Sequence, residues 1–270
     1  MSTTFENAPL IELIAELRWN VHSQPLGTPQ ASPASIPLMA LNANQFDEFF
    51  MRFGGEVYKL GYERAERLLP SGFPLMLFQP VYRYRKSDVA SVLYQVGPGL
   101  FSANAIPPYR SWDDFSPVVE SGIKALLKTR SDTETEFPFA SISLRYIDAF
   151  GPALTQGRDV DRFLREVLGL SVELPDGISK HIAVGQVVKP SVQLALPLAN
   201  GMAMNVGIGE GLVNNETSII MDTTVSTTGE TPADENSAMS KLNIARDSIH
   251  EMFFELTKSI RDLMKPTGGT

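Results

Sequence analysis

The chain has 270 residues, which is room for one large or two modest domains at about 100–200 residues per domain. Its composition, 43% hydrophobic and 20% charged, is typical of a globular protein and excludes a disordered chain, a collagen-like repeat and a coiled-coil rod. With 31 acidic and 23 basic residues the net charge is −8, which disfavours nucleic acid as a partner, while the absence of cysteine excludes disulfides and thiolate chemistry.

The first module is predicted over residues 1–130. It begins with a strand over residues 11–21, where apolar residues occupy every odd position and polar residues lie between them, which is the period of a half-buried strand. The elements predicted to follow are a proline-rich loop over 25–37, a helix from Asn44 to Gly61, three strands over 80–86, 91–96 and 100–106, and a helix from Ser111.

The first apolar run of the chain contains Glu12, Glu16 and Arg18. Because these charges interrupt it, the run fits neither a signal peptide nor a membrane span. We therefore expect a cytoplasmic protein that does not bind membranes.

The second module is predicted over residues 137–265, after an acidic linker at 131–136 and before a flexible tail at 266–270. An Asn200-Gly201 pair favours a tight turn between two of its strands. The predicted elements are a strand around Leu144, a short helix over 158–169, four strands over 182–188, 191–198, 202–208 and 217–226, and a long C-terminal helix with one apolar stripe.

The two modules share one order of elements, and their first strands share a pattern. Residues 15–19 and 142–146 both read apolar, polar, leucine, arginine, aromatic, with Leu17 matching Leu144. We therefore predict an α+β fold of two tandem strand-helix-meander-helix modules, forming curved antiparallel sheets with long helices packed on one face. Its nearest analogies are the duplicated TATA-binding protein and the helix-grip ligand binders.

Residues with catalytic or metal-binding chemistry are not arranged in a known motif. His22, His181 and His250 are far apart and form no metal-ligand pair, and His250 is interpreted as a rim histidine of the last helix. The glycines at 207, 209 and 211 lack the Lys-Ser/Thr of a phosphate-binding loop and precede a strand, so we interpret them as turn residues. We predict no catalytic residue, no metal and no cofactor.

Two groups of residues are candidates for binding a ligand or a partner. Tyr82, Arg83, Tyr84 and Arg85 form a basic and aromatic cluster, in which alternation places the tyrosines on one face and the arginines on the other. The second group comprises Arg18 and Trp19 in the first strand and their counterparts Arg145 and Tyr146 in the second module. A charge in the middle of a strand requires water or a carboxylate, so these arginines pair with acids or line a shared groove.

Several of these stretches resemble one known family. They are Asn7-Ala8-Pro9-Leu10-Ile11-Glu12, Glu16-Leu17-Arg18-Trp19, the run from Tyr109 to Phe115, and Leu144-Arg145-Tyr146-Ile147-Asp148. Together they resemble a sporadically distributed family of uncharacterised bacterial and archaeal proteins of about this length. The chain has Asp148 where the family pattern has asparagine. The family supplies no catalytic residues, and its patchy distribution is similar to that of defence and toxin–antitoxin cassettes.

Three functions follow as hypotheses. The first is a non-catalytic protein that binds a protein partner, such as the neutralising or regulatory subunit of a prokaryotic defence or toxin–antitoxin-like operon, since acidic proteins associate rapidly with basic partners. The second is an anionic-ligand binder or enzyme with a pocket between sheet and helices. The third, disfavoured by the net charge, is nucleic-acid binding through the cluster at 82–86. Edge strands of the predicted sheet also make a homo-oligomer an open alternative.

Overall fold

The computed structural model describes residues 4–21, 44–108, 111–130 and 137–267. Five predictions concern residues outside these ranges: His22, the proline-rich loop at 25–37, the pair Tyr109 and Arg110 of the family resemblance, the linker at 131–136 and the last three residues of the predicted tail. Pro266 and Thr267, at the start of that tail, pair with Thr4 and Phe5 in a short two-stranded sheet.

The described residues form a mixed α/β fold. Its strands are β1 (Thr4–Phe5), β2 (Leu10–Trp19), β3 (Arg64–Arg67), β4 (Tyr82–Arg85), β5 (Val92–Gly97), β6 (Leu100–Ala105), β7 (Phe139–Phe150), β8 (Val192–Pro197), β9 (Met202–Val213), β10 (Glu216–Thr227) and β11 (Pro266–Thr267). Its helices are α1 (Asn44–Tyr58), α2 (Trp112–Thr129), α3 (Pro152–Thr155), α4 (Val160–Glu166), α5 (Asp176–Ser179), α6 (Glu235–Thr257) and α7 (Arg261–Met264), with a 3-10 turn at Lys258–Ile260 between the last two.

Nine of these strands form one antiparallel sheet in the order β3-β4-β5-β6-β2-β7-β10-β9-β8. The predicted meander of the first module is present as β4, β5 and β6, with Tyr94 opposite Ala103 and Gly97 opposite Leu100. The antiparallel α+β class is therefore confirmed.

The alternation of β2 matches its sequence pattern. Leu13, Ala15, Leu17 and Trp19 are buried, whereas Arg18 between them is exposed. One face of this strand thus contributes to the core and the other meets solvent, as the period of two predicts.

The two long helices of the first module pack on strands of its meander. Phe50 and Phe53 of α1 are buried, and the Tyr94 hydroxyl on β5 donates a hydrogen bond to the carbonyl oxygen of Val118 in α2 at 2.7 Å. Gly122 makes the close approach of α2 sterically feasible, because a Cβ there would lie 2.6 Å from the Phe101 ring. Aromatic side chains fill the space between helix and strand, as the helical spacing of phenylalanines predicts.

The hairpin of β8 and β9 forms where the Asn-Gly pair predicts a turn. Leu198 donates its backbone N–H to the carbonyl oxygen of Met202, and Gly201 adopts a φ of +76°. A positive φ is favourable for glycine. The connection comprises residues 199 to 201, one residue more than the Asn200-Gly201 pair from which the turn was predicted.

Three local predictions differ from the structure. Residues 182–188 form turns rather than a strand, with Gly185 at a φ of +79°. The glycines at 207, 209 and 211 lie inside β9 rather than in a turn. Finally, β3 was not predicted, because Arg64-Ala65-Glu66-Arg67 has no apolar alternation for a sequence pattern to detect.

The chain divides into two compact units. One is built from residues 14–144 and 226–244, and the other from residues 1–13, 145–225 and 245–270. The first contains α1, α2 and β3 to β6. The second contains α3 to α5, β8 and β9, and the C-terminal half of α6. The tandem boundary at 131–136 lies outside the described residues and stays a prediction.

Candidate interaction surfaces

Tyr82 and Tyr84 share one face of β4, and that face packs against α1. The ring of Tyr82 lies 5.2 Å from the ring of Phe50, and the Tyr84 hydroxyl donates to the carbonyl oxygen of Phe50 at 3.0 Å. Burial raises the pKa of the Tyr84 phenol above its ordinary value. Rings enclosed in this way offer no stacking platform for bases, so the geometry does not favour nucleic-acid binding here.

The arginines of the same strand lie on the opposite face. Arg83 forms an ion pair with Glu66 of β3 at 3.4 Å, and Arg85 lies opposite Arg64 in the β3–β4 register. The Nε atoms of Arg83 and Arg85 are buried without a hydrogen-bond partner. Strands β3 and β4 therefore carry a charged, mainly basic face.

The two arginines predicted in the repeated pattern both meet carboxylates. Arg18 pairs with Glu16 on its own strand at 2.6 Å. Arg145 reaches across to Asp222 on β10, donating from Nε to Oδ1 at 2.8 Å and from Nη2 to Oδ2. Because each guanidinium already has a counter-ion, this arrangement does not favour an anion site built on these arginines.

Trp19 belongs to the core. Its ring lies 6.0 Å from Phe49 in an edge-on contact, and the guanidinium of Arg130 lies 5.3 Å from its centroid. Arg130 also contacts the ring of Phe139 at 5.2 Å. The tryptophan therefore has a packing role.

Tyr146 and Asp148 follow on β7 in a polar part of the interior. Burial raises the pKa of the Tyr146 phenol, while the nearby charge of Arg246 opposes that shift. Asp148 is buried, and its desolvation raises the pKa of the carboxyl from 3.8 to about 7. From the sequence, Asp148 is an acid with which the strand arginines could pair, as Glu16 is, and a departure from the family pattern. The structure pairs Arg18 with Glu16 and Arg145 with Asp222. The burial of Asp148 could have been inferred from the even-numbered alternation of Leu144 and Phe150.

The structure also shows an apolar surface that was not predicted from the sequence. The segment from 172 to 188, called here the apolar segment, follows α4 and contains α5. The hydrogen bonds within it are local turns, such as Gln186 N–H to Ala183. Seven of its large apolar side chains are exposed: Val172, Leu174, Ile178, Ile182, Val184, Val187 and Val188. The sequence signal was the group of isoleucine and valine residues at 182–188, which was assigned to a strand.

An open groove of about 890 Å³ lies between the β8–β9 hairpin and α6, with Leu196 and Met204 among its lining residues. His250, predicted at a helix rim, lies with its ring 4.3 Å from the ring of Phe254, and the Arg261 guanidinium lies 5.3 Å from the same ring. Burial lowers the pKa of His250, and its Nε2 is buried without a hydrogen-bond partner. In this His250–Phe254–Arg261 stack, an imidazole and a guanidinium adjoin the apolar walls of the groove.

Other site classes find no support in the described residues. No cluster of three or more histidine, aspartate or glutamate side chains there could hold a metal ion. Among the helices that the structure describes, none has the length and apolar character needed to cross a membrane. A comparison with protein families found no matching family model, and a comparison with curated proteins found no match.

Proposed function

We propose that the protein is a non-catalytic interaction protein that binds another protein through the apolar segment. The observation that carries this proposal is the exposure of large apolar side chains along 172–188, with Val184 fully exposed. Contiguous apolar surface is costly in water and is typical of protein–protein contact sites. A partner with an apolar surface of its own would remove these side chains from water.

The net charge of −8 adds a second criterion for the partner. An acidic protein attracts a basic one over a distance comparable to the Debye length, which raises the association rate. We therefore propose a basic partner with an apolar patch. A basic toxin or effector of a prokaryotic defence or toxin–antitoxin-like operon would fit, with this protein as its regulatory or neutralising subunit.

The proposal includes an origin by duplication of one strand-helix-meander-helix module. Its support is the sheet order, in which β2 adjoins β6, the last strand of its own meander, just as β7 adjoins β10. Further support comes from the matched residues Leu17 and Leu144, which are both fully buried.

The test is to remove apolar contact without adding charge. The double variant Val184→Ser with Val187→Ser changes two exposed side chains of the apolar segment. Tagged wild type and variant are recovered from source cells, co-purifying proteins are identified by mass spectrometry, and the partner is then purified and titrated by calorimetry. We expect the variant to bind the purified partner about tenfold or more weakly.

The matched control is Val89→Ser, because Val89 is nearly fully exposed but lies outside the apolar segment. It should bind the partner as the wild type does. The proposal is wrong if the wild type is recovered alone in repeated experiments, or if the control and the double variant lose the same amount of binding.

A second candidate function rests on the groove. Its apolar walls and the His250–Phe254–Arg261 stack suit an amphipathic carboxylate, whose chain would cover Leu196 and Met204 while its anion meets Arg261. Among the described residues Arg261 forms no ion pair with a carboxylate, whereas Lys258 in the same groove pairs with Glu255. This observation favours an anionic rather than a neutral ligand.

Calorimetric titration with dodecanoate and with dodecanol separates the carboxylate from the chain. We expect saturable dodecanoate binding that weakens about fivefold in Arg261→Gln, with dodecanol unaffected. Arg165→Gln on α4 is the control, since Arg165 is exposed and lies outside the groove lining. Absence of saturable dodecanoate binding, or equal binding by wild type and Arg261→Gln, would exclude this candidate.

A further inference from the structure

Strand β8 is an edge of the nine-stranded sheet, with β9 as its single neighbour in the described part of the chain. An edge strand exposes a row of backbone N–H and C=O groups that can pair with another strand. The register of the β8–β9 hairpin shows which groups these are.

Even-numbered residues of β8 direct their backbone groups toward β9. Leu198 donates to Met202, and the register continues with Leu196 opposite Met204 and Leu194 opposite Val206. Hydrogen-bonded pairs recur at every second residue of an antiparallel ladder. The N–H and C=O groups of Gln193 and Ala195 therefore point to the free edge.

The two sheet edges differ in charge. At the opposite edge, β3 carries Arg64, Glu66 and Arg67 within four residues, and charged residues are a common protection against edge-to-edge pairing. Strand β8 reads Val-Gln-Leu-Ala-Leu-Pro and has no charge. It lacks that protection, and its side chains impose no repulsion on an identical strand.

We propose that β8 pairs in antiparallel fashion with β8 of a second copy of this chain, about a two-fold axis at Leu194. In this register Gln193 of each copy lies opposite Ala195 of the other, which forms four backbone hydrogen bonds. The side chain of Leu194 meets its own symmetry mate, and Val192 meets Leu196. Every opposed pair is uncharged.

Pro197 selects this register over the neighbouring one. With Ala195 opposite itself, Gln193 would lie opposite Pro197, which has no N–H to donate. Two carbonyl oxygens of Gln193 would then remain without a donor in the dimer. The register centred on Leu194 satisfies both and places Pro197 opposite Ser191, which lies outside β8. The proline therefore favours this register over the one centred on Ala195.

This pairing gives the apolar side chains of β8 apolar neighbours in the second copy. Leu196 is exposed, and Val192 and Leu194 are half-buried in the single chain. All three lie on the face that continues the buried residues of β9, such as Val206. Pairing with a second copy extends that apolar face across the two-fold axis, as a sheet continued through an edge does.

Sedimentation velocity between about 1 and 100 µM tests the proposal, because dimers of moderate affinity dissociate in that range. The wild type should sediment as a dimer at the upper concentrations. The variant Gln193→Lys with Ala195→Lys places two like-charged pairs across the axis and should raise the dimer dissociation constant about tenfold or more. The matched variant Gln193→Glu with Ala195→Lys places opposite charges at the same positions and should restore the dimer.

The substitutions lie at exposed positions, and circular dichroism confirms that each variant is folded. The single variant Ala195→Lys checks the register, since its lysine faces Gln193 in the proposed dimer but faces itself in the alternative. We expect it to remain dimeric. A wild type that is monomeric at the highest concentration, a charge-matched variant that stays monomeric, or dissociation of the single variant would each overturn the proposed pairing.

Discussion

Strands β2 and β7 carry the same five-residue pattern in unlike surroundings. Leu17 and Leu144 are both 0% exposed, and the arginine after each meets a carboxylate. Beyond the arginines the strands diverge, because β2 ends at a tryptophan enclosed by aromatic and guanidinium groups, whereas β7 continues into the buried Asp148. The leucine of the pattern is thus a core residue in both strands, whereas the residues after the arginine have different surroundings.

The largest effect on the free energy of unfolding should come from truncating the two matched leucines. Leu17→Ala and Leu144→Ala each remove a fully buried side chain and leave a cavity, which should lower the free energy of unfolding by about 2–5 kcal/mol. Urea unfolding followed by circular dichroism measures both. If the two positions are equivalent, the losses should agree to within about 1 kcal/mol.

Leu212→Ala is the control for this pair, because Leu212 is 73% exposed and its truncation should change the unfolding free energy by less than about 0.5 kcal/mol. A loss for one matched leucine no greater than that of the control would break the equivalence of β2 and β7.

The next largest effect on stability concerns Asp148, the residue in which β7 differs most from β2. Because burial raises the pKa of this carboxyl from 3.8 to about 7, the folded state retains a proton that the unfolded state releases. Stability therefore falls as pH rises from about 4 to about 7, and stays lower above that. Three pKa units correspond to about 4 kcal/mol, so Asp148→Asn should be more stable than the wild type by up to about that amount above pH 7.

Urea unfolding at several pH values measures this difference, which should vanish below about pH 3, where both states of the wild type are protonated. The control Asp262→Asn changes an exposed aspartate and should show no such trend. An advantage of Asp148→Asn that is the same at every pH would contradict the assigned cause, as would a destabilised variant.

A structural feature can be predicted from this sequence when the residues that determine it are close together in the chain. The alternation of β2 and the spacing of Phe46, Phe50 and Phe53 report burial locally, so these elements are predicted close to their observed bounds. The partner of Arg145 is 77 residues away, and no local pattern identifies it. The strand predicted at 182–188 is wrong for a related reason, because isoleucine and valine residues favour a strand but do not supply a neighbouring strand for it to pair with.

The smallest expected effect is the difference in coupling energy between the ion pairs of Arg145 and Arg18. Double-mutant cycles measure it. Arg145 and Asp222 form two parallel hydrogen bonds between neighbouring strands, with side chains 43% and 33% exposed. Arg18 and Glu16 form a single contact along one strand, with exposures of 44% and 23%. Because both pairs are partly solvated, we expect coupling energies of about 1 kcal/mol for the first and below about 0.5 kcal/mol for the second.

The cycles use Arg145→Gln with Asp222→Asn, and Arg18→Gln with Glu16→Gln, each compared with its double variant. Raising the salt concentration to about 1 M shortens the screening length to about 3 Å and should reduce both couplings. Equal couplings would mean that the cross-strand geometry of β7 adds nothing to a surface ion pair. A larger value for Arg145 would show that the repeated arginine has become a link between strands in β7 while remaining a solvated surface charge in β2.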